Sequence, residues 1–357
     1  MKVAVLWTQL AGYISCCMKA LAARPGVELY VANEAPATVA PYLSSVFDWI
    51  ERRYVYAQTP DPERLFRELD AFAPDVILAS WHVKPFQAAC LRYKRSAVGV
   101  ACADNQWFGN ARQRVASMTS AMHLRKFYDA AFVPGERQAI WARHMGFDES
   151  RIWRGTFAPD VERFGPAGKK RRSDARSFLF AGRLSQEKGL ETLAEAYAGY
   201  AAAITAEGGR PWDCLVAGAG PLERILSHPG FVKRGFVQPR DLPALFAEAS
   251  CFLLPSHYEP WGVALEEAAV SGLPIICTRT CGASVHMVQD NWNGYLIDPR
   301  SATQLQAAMI RMTRLPAERR EQMAEASRTL GLQFTPERWA TTVLEKGREL
   351  QERLGRG

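Results

Sequence analysis

Arg183 and Lys188 stand five positions apart in FLFAGRLSQEKG, after an apolar run and on a Gly-bearing loop that opens a helical segment. Two fixed cations there suit a diphosphate: arginine grips phosphate oxygens in a bidentate fork, lysine acts as a point charge, and the helix start adds backbone donors. Singly, either would be an ordinary solvated surface charge. Further along, CFLLPSHYEPWGVALEEAAVSG carries Glu259 and Glu267 in a Glu-x7-Glu pattern. A strand ending at Ser256 and a loop with Pro260 and Gly262 put Glu259 before the next helix and Glu267 a turn or more inside it. One carboxylate then lies near a ligand's reactive end, and the other is available for a pair of hydroxyls. Glu266 points roughly 100° away and is expected at the surface. The N–H groups of Trp261, Gly262 and Val263 sit at a helix start and suit sugar or phosphate oxygens. Taken alone, glutamates at a helix start are more often complements to its dipole.

In VAGAGPLE, Gly218 and Gly220 begin a dinucleotide fingerprint that fails at its third glycine, where Glu223 stands. A tight strand-to-helix turn is the ordinary account, and small residues there admit a nucleotide close to the backbone. Asp-x-Asp is missing from the sequence, and no His or carboxylate pair has metal spacing on a loop. No metal and no cofactor are therefore expected. His123 and His257 read as partly exposed loop histidines. The eight cysteines fall mostly inside apolar runs without C-x2-C spacing, as buried reduced thiols do.

These residues need scaffolds that end strands where the chemistry is. KVAVLW, VELYVA, DVILAS and SAVGVACA are short apolar runs, each followed by a polar or helical segment, and SFLFAG, DCLVAGAG, VKRGFV, CFLLPS and LPIICT repeat the pattern. Such alternation predicts two doubly wound parallel sheets, an α/β chain whose ligands bind beyond the carboxyl ends of the strands. The expected division is a first domain over 1–165, a linker over 166–176 dense in Gly, Pro and like charge, a second domain over 177–335 and a closing amphipathic helix over 336–357 begun by Pro336. With 357 residues and 48% hydrophobic content the chain fits about two domains. Its 23% charged fraction argues against disorder. No apolar run approaches the ~20 residues of a membrane helix, and MKVAVLWTQL reads as a first strand rather than a signal peptide, so the expected compartment is the cytoplasm. The net charge of +7 is spread over both halves, which argues against nucleic acid as a partner. Basic and aromatic residues do cluster in KPFQAACLRYKR (Lys84, Arg92, Lys94, Arg95) and recur at Arg112, Arg114, Arg125 and Lys126. A solvated helix face accounts for them, or a surface for anionic headgroups at the inner membrane face.

Taken together, GRLSQEKG, VAGAGPLE, GFVQPRDLPALFAEAS, PSHYEPWGVALEEAAVSG and NWNGYLIDP resemble the family-4 retaining glycosyltransferases. The resemblance is close over 178–298 and looser before 164, where it rests on the βα start, DAAFVPG and WRGTFAPDVERF. It implies the GT-B fold, with two Rossmann-like domains facing a cleft. It implies a nucleotide-sugar donor and a glycan or lipid-linked acceptor, as in bacterial surface polysaccharide assembly. By the same resemblance Arg183 and Lys188 hold the donor diphosphate, Glu267 the ribose hydroxyls and Glu259 the donor sugar, with Trp261, Gly262 and Val263 on its hydroxyls and β-phosphate and Val237 bordering the base. Where the family has a glycine-rich turn after the first strand, this chain has only Gly12. Where many members place a histidine near the donor sugar, it has Asp104 or Asn105; His82 in SWHVKPF also follows a strand, although Pro85 makes a loop or cap an equal account. A nucleotide-sugar epimerase of the same fold and a non-catalytic nucleotide-sugar or glycan-binding module are the alternatives.

Overall fold

Apolar runs of four to eight residues, flanked by turn-forming segments, form strands buried on both faces, and the helical segments between them cover the sheets. The structure is a computed structural model and describes residues 1–35, 44–170 and 176–356. Two compact units emerge: Met1–Ala158 with Phe334–Gly357, and the continuous segment Pro159–Gln333.

The first unit runs β1 (Lys2–Gln9), α1 (Gly12–Ala22), β2 (Glu28–Glu34), β3 (Arg53–Tyr56), α2 (Pro62–Phe72), β4 (Val76–Ser80), α3 (Lys84–Arg92), β5 (Val98–Cys102), α4 (Ala111–Phe127), β6 (Ala130–Val133), α5 (Glu136–His144) and β7 (Ile152–Arg154). Its seven strands are all parallel in the order β3-β2-β1-β4-β5-β6-β7, so the winding reverses between β1 and β4. The second unit runs α6 (Val161–Lys170), β8 (Ser177–Ala181), α7 (Leu190–Ala206), β9 (Asp213–Ala217), β10 (Phe231–Gly235), α8 (Leu242–Glu248), β11 (Cys251–Leu254), α9 (Val263–Val270), β12 (Ile275–Thr278), α10 (Ser284–Met287), β13 (Gly294–Ile297), α11 (Ala302–Arg314) and α12 (Ala317–Gly331). Its six parallel strands are ordered β10-β9-β8-β11-β12-β13 and reverse between β8 and β11.

The chain then returns to the first unit through α13 (Pro336–Arg353), with Thr335 as N-cap and Pro336 in the first turn. Trp339, Ala340, Val343 and Leu350 of α13 are buried, and the Trp339 indole donates to the Thr156 carbonyl at 2.9 Å. Beyond the helix, Arg356 closes an almost fully buried ion pair with Asp129 at 2.6 Å.

The units divide at 158/159. Residues 166–170, expected in a linker, are the last turns of α6, with Phe164 and Ala167 buried on its inner side. The rest of that stretch, 171–175, lies outside the described residues. Seven of the eight cysteines are buried, and burial pushes the thiols of Cys90, Cys102, Cys214 and Cys251 up, so they pack as apolar side chains. Among the described residues no helix is long and apolar enough to cross a membrane.

Candidate active site

In an open parallel sheet the loops on either side of the winding reversal diverge and leave a crevice at the strands' carboxyl ends. In the second unit these are the loops after β8 and β11, which carry Arg183, Lys188 and Glu259. The two loops are stitched together: His257 N–H donates to the Glu187 carbonyl at 2.8 Å, and the His257 ring lies 3.3 Å from the Thr192 hydroxyl. Lys188 forms an ion pair with Glu259, both side chains being about one-eighth exposed (13% and 12%). The Ser256 hydroxyl adds a bond to the same carboxylate at 3.3 Å. Arg183 is solvent-exposed and pairs with Glu187 at 3.1 Å. Burial alone would raise the Glu187 carboxyl, but the Ser185 hydroxyl at 2.6 Å, its own N–H and the charges of Arg183 and Lys188 bring it below the usual range.

The β11 loop is braced from its other side by the loop after β12. Gly282 and Ala283 N–H groups donate to the carbonyls of Glu259 and Trp261 at 3.0 and 2.8 Å, and the Thr278 hydroxyl donates to the Ser256 carbonyl at 2.6 Å. Trp261 is buried and anchors the turn into α9. Gly262 makes that turn at φ +98°, where a side chain would be strained. The amide groups of Trp261, Gly262 and Val263 accordingly open α9, as expected.

Inside α9 the two adjacent glutamates depart from expectation. Glu266, expected at the surface, is fully buried, because α12, α6 and α10 pack around this helix. Glu267 keeps part of its surface open, yet its carboxyl is enclosed enough that burial pushes it up to about 8. The nearby Asp160 charge pushes in the same direction and Arg163 opposes it.

Gly218 sits beneath the β8 loop: a Cβ there would lie 1.8 Å from the Gly182 carbonyl oxygen. Its absence lets the two strand-end loops pair through Gly182 N–H to Ala217 and Leu184 N–H to Ala219, at 2.9 and 3.0 Å. The glycine thus serves a backbone approach inside the protein. Val237 lies half-buried in the loop after β10.

The remaining predicted residues belong to the first unit, Gly12 and His82 at its own reversal and Asp104 one strand away. Gly12 opens α1 after β1, His82 follows β4, and Asp104 follows β5. His82 is exposed and Asp104 half-buried. The Trp81 indole donates to Asn105 at 2.9 Å and so holds the Asp104 loop against the end of β4. Sequence reasoning missed Trp81, Ser256 and Glu187, whose only signal is a polar or aromatic side chain just beyond a strand. Among the described residues no group of three or more His, Cys, Asp or Glu is placed to hold a metal ion.

With cations, carboxylate and helix start at one sheet reversal, the segment matches the family model "Glycosyl transferases group 1" over residues 164–330. That match to a glycosyltransferase family covers just under half of the chain. A glycogen synthase of Mycobacterium tuberculosis is 30% identical over 193 residues, which are 52% of this chain and 45% of that protein. The chain thus spans under half the length of that curated relative. Among solved structures, a glycosyltransferase from Rickettsia africae superimposes with a TM-score of 0.72 at 15% identity, over 98% of this chain and 99% of that one. Anabaena HepE in complex with UDP gives 0.69 at 16%, over 99% and 100%. At these identities the likeness speaks for the fold, and the two doubly wound units have the GT-B fold of the glycosyltransferases.

Proposed function

We propose that the chain transfers a sugar from a nucleoside-diphosphate donor to a glycan or lipid-linked acceptor, with retention at the anomeric carbon, in the assembly of a bacterial polysaccharide. The observation that carries this reading is the Arg183, Lys188 and Glu259 group at the reversal of the second sheet. As the bond between sugar and β-phosphate breaks, negative charge grows on the leaving diphosphate, and two fixed cations lower the barrier by stabilising it. They stand in the role a metal ion plays elsewhere, which supports metal-independent transfer. Glu259, held by Lys188 and Ser256, accepts a hydroxyl of the donor sugar. Glu267 accepts the ribose hydroxyls, the α9 amides face the sugar and β-phosphate, and Val237 borders the base. From the first unit, Gly12 would admit the donor phosphate, and Asp104 or His82 would take the position near the donor sugar that a histidine holds in many members of the family. UDP is the first nucleotide to try, since HepE is described in complex with UDP and with UDP and glucose. Retention rests on the family-4 resemblance, and a lipid-linked acceptor would place the work at the inner membrane face.

The test is UDP release from a panel of UDP-sugars, with and without a chelator. Slow donor hydrolysis unaffected by EDTA is expected, and Lys188→Ala should lower it by about 10²–10³-fold. Nuclear magnetic resonance of the product reads the anomeric configuration; inversion defeats the retaining reading. A donor returned with an epimerised sugar and no transfer overturns the proposal.

A further inference from the structure

Helix α4 has its amphipathicity reversed. The residues it turns toward the body of the first unit recur at helical spacing, Gln113, Ser117, Ser120, Leu124 and Phe127, and three of these five are polar. The opposite face exposes Val115 (66%), Met118 (80%) and Met122 (80%), with Phe108 (53%) just before the helix. At about 100° per residue, Val115, Met118 and Met122 form one stripe. Arg114 and Arg125 flank it on one side, and Arg112 and Lys126 on the other. No acidic residue occurs between Asn105 and Tyr128. Lys94 adds a fifth cation at the end of α4, its ammonium donating to the Arg125 and Lys126 carbonyls at 2.6 and 2.8 Å. Arg92, by contrast, is engaged with Asp70 at 2.9 Å and lies over the Phe66 ring, so the basic run over 84–95 serves partly to hold this corner together.

We propose that α4 is an interfacial helix that lies on an anionic lipid surface, seating Val115, Met118 and Met122 among the acyl chains while the flanking cations meet the headgroups. A long apolar stripe edged on both sides by Arg and Lys matches the layered polarity of such a surface. A second copy of this chain offers the opposite of charge complementarity, since the same face would set four cations against four. A nucleic acid would neutralise the cations and leave the methionines in water.

The test uses the full chain in flotation with vesicles of phosphatidylcholine alone, or with about 30% phosphatidylglycerol. Binding is read without donor or acceptor, so it stands apart from glycosyl transfer. The expected result is binding to the anionic vesicles only, released by salt at about 0.5 M. V115S/M118S/M122S and R112S/R114S/R125S/K126S should each weaken it at least tenfold, whereas V115I/M118L/M122L keeps it. Met118→Glu, a single change at a largely exposed side chain, should weaken it as well and guards against a folding defect in the multiple variants. Failure of the wild-type chain to float with anionic vesicles overturns the proposal, as does undiminished binding by the serine triple and Met118→Glu. A concentration-dependent dimer abolished by the same triple substitution would overturn it in favour of self-association.

Discussion

The Glu267 carboxyl, raised to about 8 by burial, is a proton store as well as the proposed partner of the ribose hydroxyls. Free glutamate loses its proton near 4.5, whereas Glu267 holds it to about 8, so at neutral pH the native chain binds a proton that the unfolded chain has shed. The resulting stability cost is absent below about 4.5 and complete above about 8. Hydroxyl pairs bond best to the ionised form. UDP affinity should therefore rise with pH, approaching about tenfold per unit between 6 and 7.5. Titration calorimetry in buffers of different ionisation enthalpy should register proton release on binding. Glu267→Gln should flatten both dependences, and a pH-independent wild-type affinity would refute the role. Glu259 predicts a different signature: Glu259→Ala should lower kcat more than it weakens donor binding, while Glu267→Ala weakens binding broadly. Equal effects on both constants would contradict the division of labour. The Glu-x7-Glu spacing made both carboxylates legible in the sequence. The enclosure of the Glu267 carboxyl was not, because it is supplied by α12, α6 and α10, which pack on α9 from elsewhere along the chain.

At the scale of elements, the strands legible from sequence are those buried on both faces: β1, β4, β5, β8 and β11 all carry unbroken apolar runs. The edge strand β3 (RYVY) and the three-residue β7 (IWR) carry little such signal, and β6 (AAFV) is half alanine. Helix α4 hid its orientation for a related reason, since inward Ser117 and Ser120 and outward Met118 and Met122 invert the usual period. The packing of the β8 and β9 loops through Gly218 yields a test at this scale. Gly218→Ala puts a methyl group against the Gly182 carbonyl at a φ of +147°. The loops must separate, so melting temperature and UDP affinity should fall together, by an expected stability loss of about 2–4 kcal/mol. Full UDP affinity in the variant would show that the loop pairing does not position Arg183 and Lys188.

For the molecule as a whole, the sequence announced two α/β halves and a closing helix. It did not say which half the helix closes. That is settled by side chains such as Trp339 and Arg356, whose partners Thr156 and Asp129 lie some two hundred residues earlier. Arg356→Ala leaves the Asp129 carboxylate buried without its cation, which costs on the order of 3 kcal/mol. Differential scanning calorimetry should show the transition of the first unit moving down while that of the second stays in place; a common shift of both would deny their independence. The excursion of the chain through a complete second unit before its return also sets an order of birth. On the ribosome, every strand of Pro159–Gln333 has emerged while the earlier-made unit still lacks α13. Synthesis therefore finishes the younger unit first. The older one waits, with the apolar seat of Trp339, Val343 and Leu350 uncovered, and that interval is when a chaperone has most to offer this protein.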